Sequence, residues 1–291
     1  MTPRPRVLAL LVVAFFFALP ARAAEPAPVR FGLTAVVVRE NVPFYQAWSR
    51  YLAQKVGRPV QFVQRRSYRE VMELLETGQV DFAWICGYPY VRHSDQGFFD
   101  LMALPEFEGA PLYRSYTIVH RDSPLEGLAD LEDRTFAFSD PDSNSGYLVP
   151  RSLVLKLGKN PDAFFRLTFF TYSHAETIEA VAEKVAEGGA VDSYVWEYLA
   201  RTQPQLTKRT KVISRSELFG FPPIVALRHG NRDLNRRMAE AIIKMNEDAE
   251  GRRLLRDLAL DRFSPPDPKV FDGIRRNAEN MKARMIAIPR P

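Results

Sequence analysis

The chain has 291 residues, of which 46% are hydrophobic, and carries 40 Lys and Arg against 35 Asp and Glu. Charges of both signs are interspersed, and no nucleic-acid-binding motif occurs, which argues against a nucleic-acid partner. Cys86 is the single cysteine, so an intramolecular disulfide and a cysteine-rich zinc site are excluded. Stability must therefore come from packed cores, and the length favours two lobes.

The N-terminal segment predicts export. Arg4 and Arg6 precede the apolar run 7–19, and Ala21-Arg-Ala23 provides a small-x-small cleavage site, as in a secretory signal peptide. The run is short for a bilayer span, although an uncleaved anchor stays open as the alternative. Cleavage after Ala23 leaves a chain with a net charge of only +2. We therefore expect residues 1–23 to be a cleaved leader and residues 24–291 to be a soluble exported protein.

Residues 24–115 predict the first part of a first α/β lobe. Along this segment, stretches in which every second residue is hydrophobic, as in a strand, alternate with stretches in which hydrophobic residues recur every three or four positions, as in an amphipathic helix. The resulting elements are strands at 29–34, 59–64 and 80–85 and helices at 43–56 and 68–76. This order predicts parallel strands with right-handed crossovers, and ligands bind beyond the carboxyl ends of such strands. The loop after Thr34 and the turn 86–90 are therefore pocket candidates.

The same alternation of strands and helices over residues 116–222 predicts a second lobe. Residues 223–291 are predicted to return to the first lobe. Two crossings between the lobes, near 116–120 and 220–226, are expected to form a hinge. The predicted elements are strands at 135–139, at 167–171 and from Ala190 to Asp192, and helices from 147 to 157 and from 174 to 187. The fold class predicted from the residues is thus α/β with two lobes.

The turn between the strand at 135–139 and the next helix is the main candidate site. Ser143, Asn144, Ser145 and Gly146 fall where a helix leaves its first N–H groups unpaired. These donors, the two hydroxyls and the helix dipole suit an oxyanion, and a glycine permits close approach of a ligand. The alternative is that a serine only caps the helix.

The architecture, taken with the motifs at 143–150, 172–174 and 191–197, resembles the periplasmic phosphate/phosphite/phosphonate-binding proteins of ABC importers over residues 29–285. The resemblance implies a type II solute-binding fold whose lobes close on a ligand. It also implies an ABC permease as partner, no cofactor or metal, and a monomer that meets the membrane only through its partner. Phosphonate-binding members grip the ligand with a Ser-Thr-Ser-Gly turn, and Asn144 replaces the threonine here.

The resemblance further implies ligand contacts by His174 and Asp192 of the second lobe and by Tyr45 and Tyr90 of the first. His174 could donate to an oxyanion or only cap a helix. Asp192 is costly to bury unpaired, so we expect it to meet a ligand proton or amine, or a nearby backbone group or arginine.

Cys86 leaves a second interpretation open. It follows a predicted buried strand at a pocket position, and a thiolate prefers arsenic or a soft metal to phosphate. Arsenite-sensing members of the broader family use a cysteine and work beside a histidine kinase. The alternative is that Cys86 is a small buried hydrophobic residue, as most unpaired cysteines are.

An enzyme is disfavoured. The sequence contains no Gly-x-Ser-x-Gly elbow, His-Glu-x-x-His helix or phosphate-binding Gly-rich loop with Lys-Ser/Thr. Ser145, His174 and Asp192 could form a hydrolase triad, but serine donors at a helix start suit anion capture without chemistry. A secreted hydrolase is therefore only a minor alternative.

Overall fold

Strands and helices alternate along most of the chain. A computed structural model describes residues 27–34, 42–94 and 96–287, so the predicted leader and the loop after Thr34 lie outside the described residues. The strands are β1 Val29–Leu33, β2 Val60–Gln64, β3 Phe82–Trp84, β4 Phe99–Glu106, β5 Leu112–Tyr113, β6 Ser115–His120, β7 Thr135–Phe138, β8 Leu167–Phe170, β9 Gly188–Asp192, β10 Thr210–Arg215, β11 Phe219–Gly220, β12 Ile224–Leu227 and β13 Arg262–Ser264.

The helices are of three kinds. The α-helices are α1 Val42–Val56, α2 Tyr68–Glu76, α3 Gly87–Ser94, α4 Val149–Lys156, α5 His174–Ala182, α6 Ser193–Thr202, α7 Pro204–Thr207, α8 Arg232–Ile243, α9 Ala249–Asp257 and α10 Asp272–Ala287. Turns of 3₁₀-helix are Leu128–Leu131, Lys244–Glu247 and Pro268–Phe271. A π-helical turn, Asn144–Leu148, leads directly into α4. No described helix is long and apolar enough to cross a membrane.

Two sheets define two lobes. The first lobe is built on a six-stranded sheet in the order β13-β4-β12-β3-β1-β2, and the second on a five-stranded sheet in the order β10-β6-β9-β7-β8. Within them β1 pairs in parallel with β2 and β3, and β7 pairs in parallel with β8 and β9. The parallel strands bring their carboxyl ends to one edge of each sheet, where loops can form a site.

The first crossing lies earlier than predicted, whereas the second lies near its predicted position. The segment 116–120 belongs to β6, which pairs with β9 and β10 inside the second sheet. The chain crosses between the lobes at β5, just before that segment, and at β11, next to the predicted second crossing at 220–226. These two short strands pair with each other, Phe219 opposite Tyr113. Arg114 separates β5 from β6, so residues 112–113 belong to the hinge and residues 115–120 to the second sheet.

The core of the first lobe is rich in aromatic rings. Phe31 on β1 lies opposite Phe62 on β2 and Phe82 on β3, with ring centroids 5.4 and 6.1 Å away. Trp48 of α1 stacks on Phe62 at 4.8 Å and is fully buried. Aromatic side chains bury large areas, so this cluster holds α1 against the sheet and gives the lobe a rigid base.

Two predicted local elements need correction, one in each lobe. The helix predicted over 174–187 ends at Ala182, because Glu183 caps it and Lys184 adopts a left-handed conformation with φ of 61°. The turn predicted at 86–90 is instead the start of α3, which begins at Gly87. The C-terminal helix α10 packs on α3 of the first lobe and α4 of the second, so it bridges the two lobes.

Candidate binding site between the lobes

The Ser-Asn-Ser-Gly turn sits at the carboxyl end of β7 and is tightly packed there. The Ser143 hydroxyl accepts the N–H of Gly146 at 2.9 Å, and the Ser143 carbonyl accepts the N–H of Leu148 at 3.0 Å. A Cβ on Gly146 would lie 2.5 Å from the Cβ of Ser139, so only glycine lets the turn lie this close to the strand end. The cap predicted as the alternative is therefore present, made by Ser143.

Asn144 and Ser145 lie at the centre of this turn and are completely buried. The Asn144 N–H donates to Cys86 Sγ at 3.3 Å, and its Nδ2 donates to the Tyr113 hydroxyl at 3.0 Å. The Ser145 carbonyl accepts from the Ser115 hydroxyl at 2.6 Å, which fixes the turn to β6. Asn144 Oδ1 and Ser145 Oγ have no hydrogen-bond partner in the described part of the chain. A buried polar atom without a partner is uncommon in folded proteins, so these two atoms call for an explanation.

His174 is the first residue of α5, which Ser173 caps. Its Nδ1 accepts the N–H of Asp192 at 3.1 Å, and burial lowers the pKa of the imidazole to about 3. A neutral ring whose Nδ1 accepts must carry its hydrogen on Nε2. Nε2 lies 3.2 Å from the hydroxyl of Tyr68, which belongs to the other lobe. His174 therefore presents a donor towards the space between the lobes.

Two buried carboxylates belong to the same cluster. Asp192 ends β9 and caps α6 by accepting the N–H of Tyr194 at 2.8 Å, and burial raises its pKa to about 7. Asp140 follows β7 and accepts the N–H of Tyr68 at 3.0 Å across the cleft, and burial raises its pKa to about 6. Burial disfavours the charged form of both carboxyl groups because water cannot solvate it. Each carboxyl group is therefore stabilised by a neighbour that donates a hydrogen bond to it.

The first lobe and the hinge supply the opposite wall. Tyr68 is the first residue of α2, Cys86 follows β3, and Tyr113 lies on the hinge strand β5. Burial raises the pKa of Cys86 to about 12, so it is a thiol and not a thiolate at neutral pH. The charges of Asp140 and Asp192 further raise the pKa of Tyr68, after the larger effect of burial. The groups from both lobes therefore interact within one buried cluster.

The structure brings together most of the residues singled out in the sequence. Those in the cluster are Ser143, Asn144, Ser145, Gly146, His174, Asp192 and Cys86. The ring of Tyr90 packs 4.6 Å from Phe271, which precedes α10. Tyr45 is half-buried on α1 with its ring 5.8 Å from Phe62. A ligand contact by either tyrosine stays a prediction.

Sequence reasoning missed Tyr68, Tyr113 and Asp140. Asp140 was recoverable, because it directly follows the strand end that positions the turn. Tyr68 stands at the start of a helix that Ser67 and Glu70 cap reciprocally, and helix starts at strand ends are typical ligand positions. Nothing in the sequence marks Tyr113, because its position follows from the hinge pairing.

The geometry does not match a hydrolase triad. In such a triad the carboxylate accepts the Nδ1 hydrogen of the histidine, whose Nε2 takes the serine proton. Here His174 Nδ1 accepts the backbone N–H of Asp192, and the Asp192 carboxylate caps α6. The Ser145 hydroxyl has no hydrogen bond to His174. Among the described residues there is also no group of three or more metal-binding side chains.

Comparison with known proteins places this chain in a family. A family profile described as "ABC transporter, phosphonate, periplasmic substrate-binding protein" matches residues 32–271. The phosphonates-binding periplasmic protein of Escherichia coli is 28% identical over 232 residues, which cover 76% of this chain and 68% of that protein. The phosphate-import protein PhnD of Mycolicibacterium smegmatis is 31% identical over 186 residues, which cover 59% of this chain and 58% of that protein.

Solved structures agree. A crystal structure of a binding protein component of an ABC phosphonate transporter from Pseudomonas aeruginosa matches with a TM-score of 0.80 at 26% identity. The match covers 86% of this chain and 85% of that one. The predicted two-lobed type II periplasmic-binding-protein fold is therefore confirmed. The chain belongs to the family of periplasmic substrate-binding proteins of phosphonate ABC transporters.

Proposed function

We propose that the mature chain binds a small tetrahedral oxyanion, a phosphonate, phosphite or phosphate, in the buried cluster between its lobes. The observation that carries the proposal is the Ser145 hydroxyl, buried and without a partner in the described residues, at the start of a helical turn. A hydroxyl in such a place costs free energy unless a ligand pairs with it. The names of the two sequence relatives support a phosphorus oxyanion.

Neutral donors are suited to this task. The Ser145 hydroxyl, the Tyr68 hydroxyl, which accepts the Nε2–H of His174 and keeps its own hydrogen to donate, and the positive end of the helix that includes the turn can all point partial positive charge at an anion. In a site of low dielectric, such fixed dipoles interact strongly with a charge and need no counter-ion. Capture without chemistry also accounts for the arrangement of Ser145, His174 and Asp192, so we propose that the chain is not an enzyme.

The leader predicted at residues 1–23 would deliver the chain to the periplasm, where its family works. There we propose that the chain, as a monomer, presents its closed, loaded form to an ABC permease. Contacts that span the cleft, such as Tyr68 with Asp140 and His174, form only when the lobes approach. A permease can therefore recognise loading through the relative position of the lobes.

Isothermal titration tests the proposal. Ligand-free protein, prepared by unfolding and refolding, is titrated with methylphosphonate, phosphite, phosphate and arsenite. Saturable heat with at least one phosphorus oxyanion is expected. Binding of arsenite alone would replace the transport function with the thiol-based sensor, which the raised pKa of Cys86 disfavours because arsenic binds thiolates. Heat from none of the four would remove the oxyanion proposal altogether.

A further inference from the structure

The two lobes present equivalent segments to each other across the cleft. In the first lobe, a short turn after β2 leads to Ser67, whose hydroxyl caps α2. In the second lobe, a short turn after β8 leads to Ser173, whose hydroxyl caps α5 in the same way. The first residues of the two helices, Tyr68 and His174, meet at 3.2 Å. Two equivalent strand–turn–helix units thus face each other from different lobes.

The residues that precede the two caps, Arg66 and Tyr172, also meet. The Cζ atom of the Arg66 guanidinium lies over the Tyr172 ring, 5.5 Å from its centre, which is within the range of a cation–π contact. Arg66 is exposed and Tyr172 is half-buried, whereas the polar cluster between the lobes is fully buried. This second contact between the lobes therefore lies nearer to solvent than the proposed ligand site.

The backbone of Tyr172 has an unfavourable conformation. Its φ of 61° lies in the left-handed region, which large side chains seldom adopt because Cβ then crowds the carbonyl oxygen. The Thr171 hydroxyl donates to the Ser173 carbonyl at 2.8 Å and helps to hold the turn. Such residues persist only where their surroundings hold them, and they are frequent in ligand clamps. The contact with Arg66 gives a reason for an aromatic ring at a position where glycine would be unstrained.

We propose that Arg66 and Tyr172 form a clasp that holds the lobes together around a bound ligand and thereby sets how slowly the ligand leaves. The inference rests on the proposed function and deepens it, because it names two residues that retain the ligand from outside its site. The clasp joins different lobes, so it forms only after the lobes have approached each other. It therefore slows dissociation and leaves association almost unchanged. The effect is the same for every oxyanion that the site accepts.

Rate constants for the binding of methylphosphonate and of phosphate test the clasp. Tyr172→Leu keeps an apolar side chain and the same backbone conformation but removes the ring, and Arg66→Gln removes the cation. Stopped-flow tryptophan fluorescence measures association and dissociation in each variant. Because an exposed cation–π contact is weak, we expect dissociation to become about two- to fivefold faster in both, with association unchanged. Tyr172→Phe retains the ring and should dissociate at the wild-type rate.

A double variant and a control assign the effect to the pair. Since either single change already opens the clasp, Arg66→Gln combined with Tyr172→Leu should dissociate no faster than Tyr172→Leu alone. Arg215→Gln is the matched control, because Arg215 lies 5.2 Å from the ring of Tyr116 within the second sheet, and it should leave both rate constants unchanged.

Two results would overturn the clasp and leave the proposed function standing. The first is wild-type dissociation in Tyr172→Leu or in Arg66→Gln, and the second is a double variant in which the two losses add. Dissociation that is faster for one oxyanion only would also contradict it, because that result requires contact with the ligand. A wild-type protein that binds neither methylphosphonate, phosphite nor phosphate would overturn the proposed function and the clasp together.

Discussion

At the scale of single residues, the candidate site joins neutral donors to poorly ionised carboxyl groups. The imidazole of His174 stays neutral because its burial outweighs any gain from protonation, and its hydrogen is fixed on Nε2 by the Asp192 N–H. Ser139 Oγ lies 2.8 Å from Nδ1 of the same ring and donates to the Ala190 carbonyl at 2.9 Å. Such a site attracts an anion through oriented hydrogen bonds, so the loss of one donor should be measurable.

Ser145→Ala tests that donor. We expect the variant to bind the cognate oxyanion with a free energy weaker by about 1–3 kcal/mol, because a hydrogen bond to a charged group is lost. Cys86→Ser should change the affinity by only a few fold, since a serine hydroxyl can still accept the N–H of Asn144. Titration calorimetry of both variants checks that Ser145→Ala loses more affinity than Cys86→Ser. A larger loss in Cys86→Ser would favour a thiol-dependent site.

Asp192→Asn tests the buried carboxyl group through the pH dependence of stability. The folded pKa of about 7 lies above the ordinary value of 3.8, so the folded state binds the proton more tightly than the unfolded state does. The wild type therefore loses stability through this group as the pH rises from about 4 to 7. Asparagine keeps the helix cap without titrating. Urea unfolding at both ends of that pH range should show that the free energy of unfolding of the variant rises relative to that of the wild type. A difference that stays constant with pH would contradict a raised pKa of Asp192.

At the scale of elements, the π-helical turn and the start of α2 determine what faces the cleft. In the π-helical turn, the bond from Leu148 N–H to Ser143 O spans five residues, which widens the backbone where Asn144 and Ser145 lie. On the other side, Ser67 and Glu70 cap α2 reciprocally, which fixes the first residue of the helix, Tyr68. Both helix starts thus meet across the same space.

Ser67→Ala tests the contribution of the α2 start. Loss of the cap should lower the free energy of unfolding by about 0.5–2 kcal/mol and weaken ligand binding, because Tyr68 is then less well positioned. Asn231→Ala removes the corresponding cap of α8, where Asn231 Oδ1 accepts the N–H of Leu234. It should cost similar stability and leave affinity unchanged. Urea unfolding measures the loss of stability in the two variants, and calorimetry measures their ligand affinity. Equal affinities in both variants would show that the start of α2 does not contribute to binding.

At the scale of the whole molecule, the two lobes meet through contacts distant in sequence. Arg92 of α3 pairs with Asp142 at 2.6 Å, and the Tyr194 hydroxyl of α6 donates to the Leu258 carbonyl at 2.6 Å. In the described part of the chain, two short strands, β5 and β11, carry the backbone between the sheets. Such a connection permits closure as a rigid-body motion about the hinge.

Small-angle scattering tests closure. Because the ligand contacts both lobes, it should favour the closed form and lower the radius of gyration at saturation. Arg92→Ala should show the same decrease, since an ion pair with a half-exposed partner contributes about 1 kcal/mol or less. Identical scattering curves with and without saturating ligand would contradict a closing cleft.

The sequence by itself determined the order of elements and the chemistry of the turn. Hydrophobic periodicity and caps are local properties, so α1 and α2 were predicted with nearly their observed bounds. The Ser-Asn-Ser-Gly turn was recognisable for the same reason, because a strand, small polar residues and a helix follow one another within a few positions. The family resemblance then led to His174 and Asp192.

Only the tertiary structure decided which distant residues complete the site. Tyr68 meets Asp140 and His174 from 72 and 106 positions away, and local spacing carries no information about such pairs. Tyr90 was predicted at the cleft, and its ligand contact stays a prediction. Only the folded chain shows that α10, which returns from the end of the chain, packs on α3 and that the Tyr90 ring lies against Phe271. An aromatic side chain suits a core as well as a pocket. Which of the two it occupies depends on what packs against it, and that is settled only when the whole chain is folded.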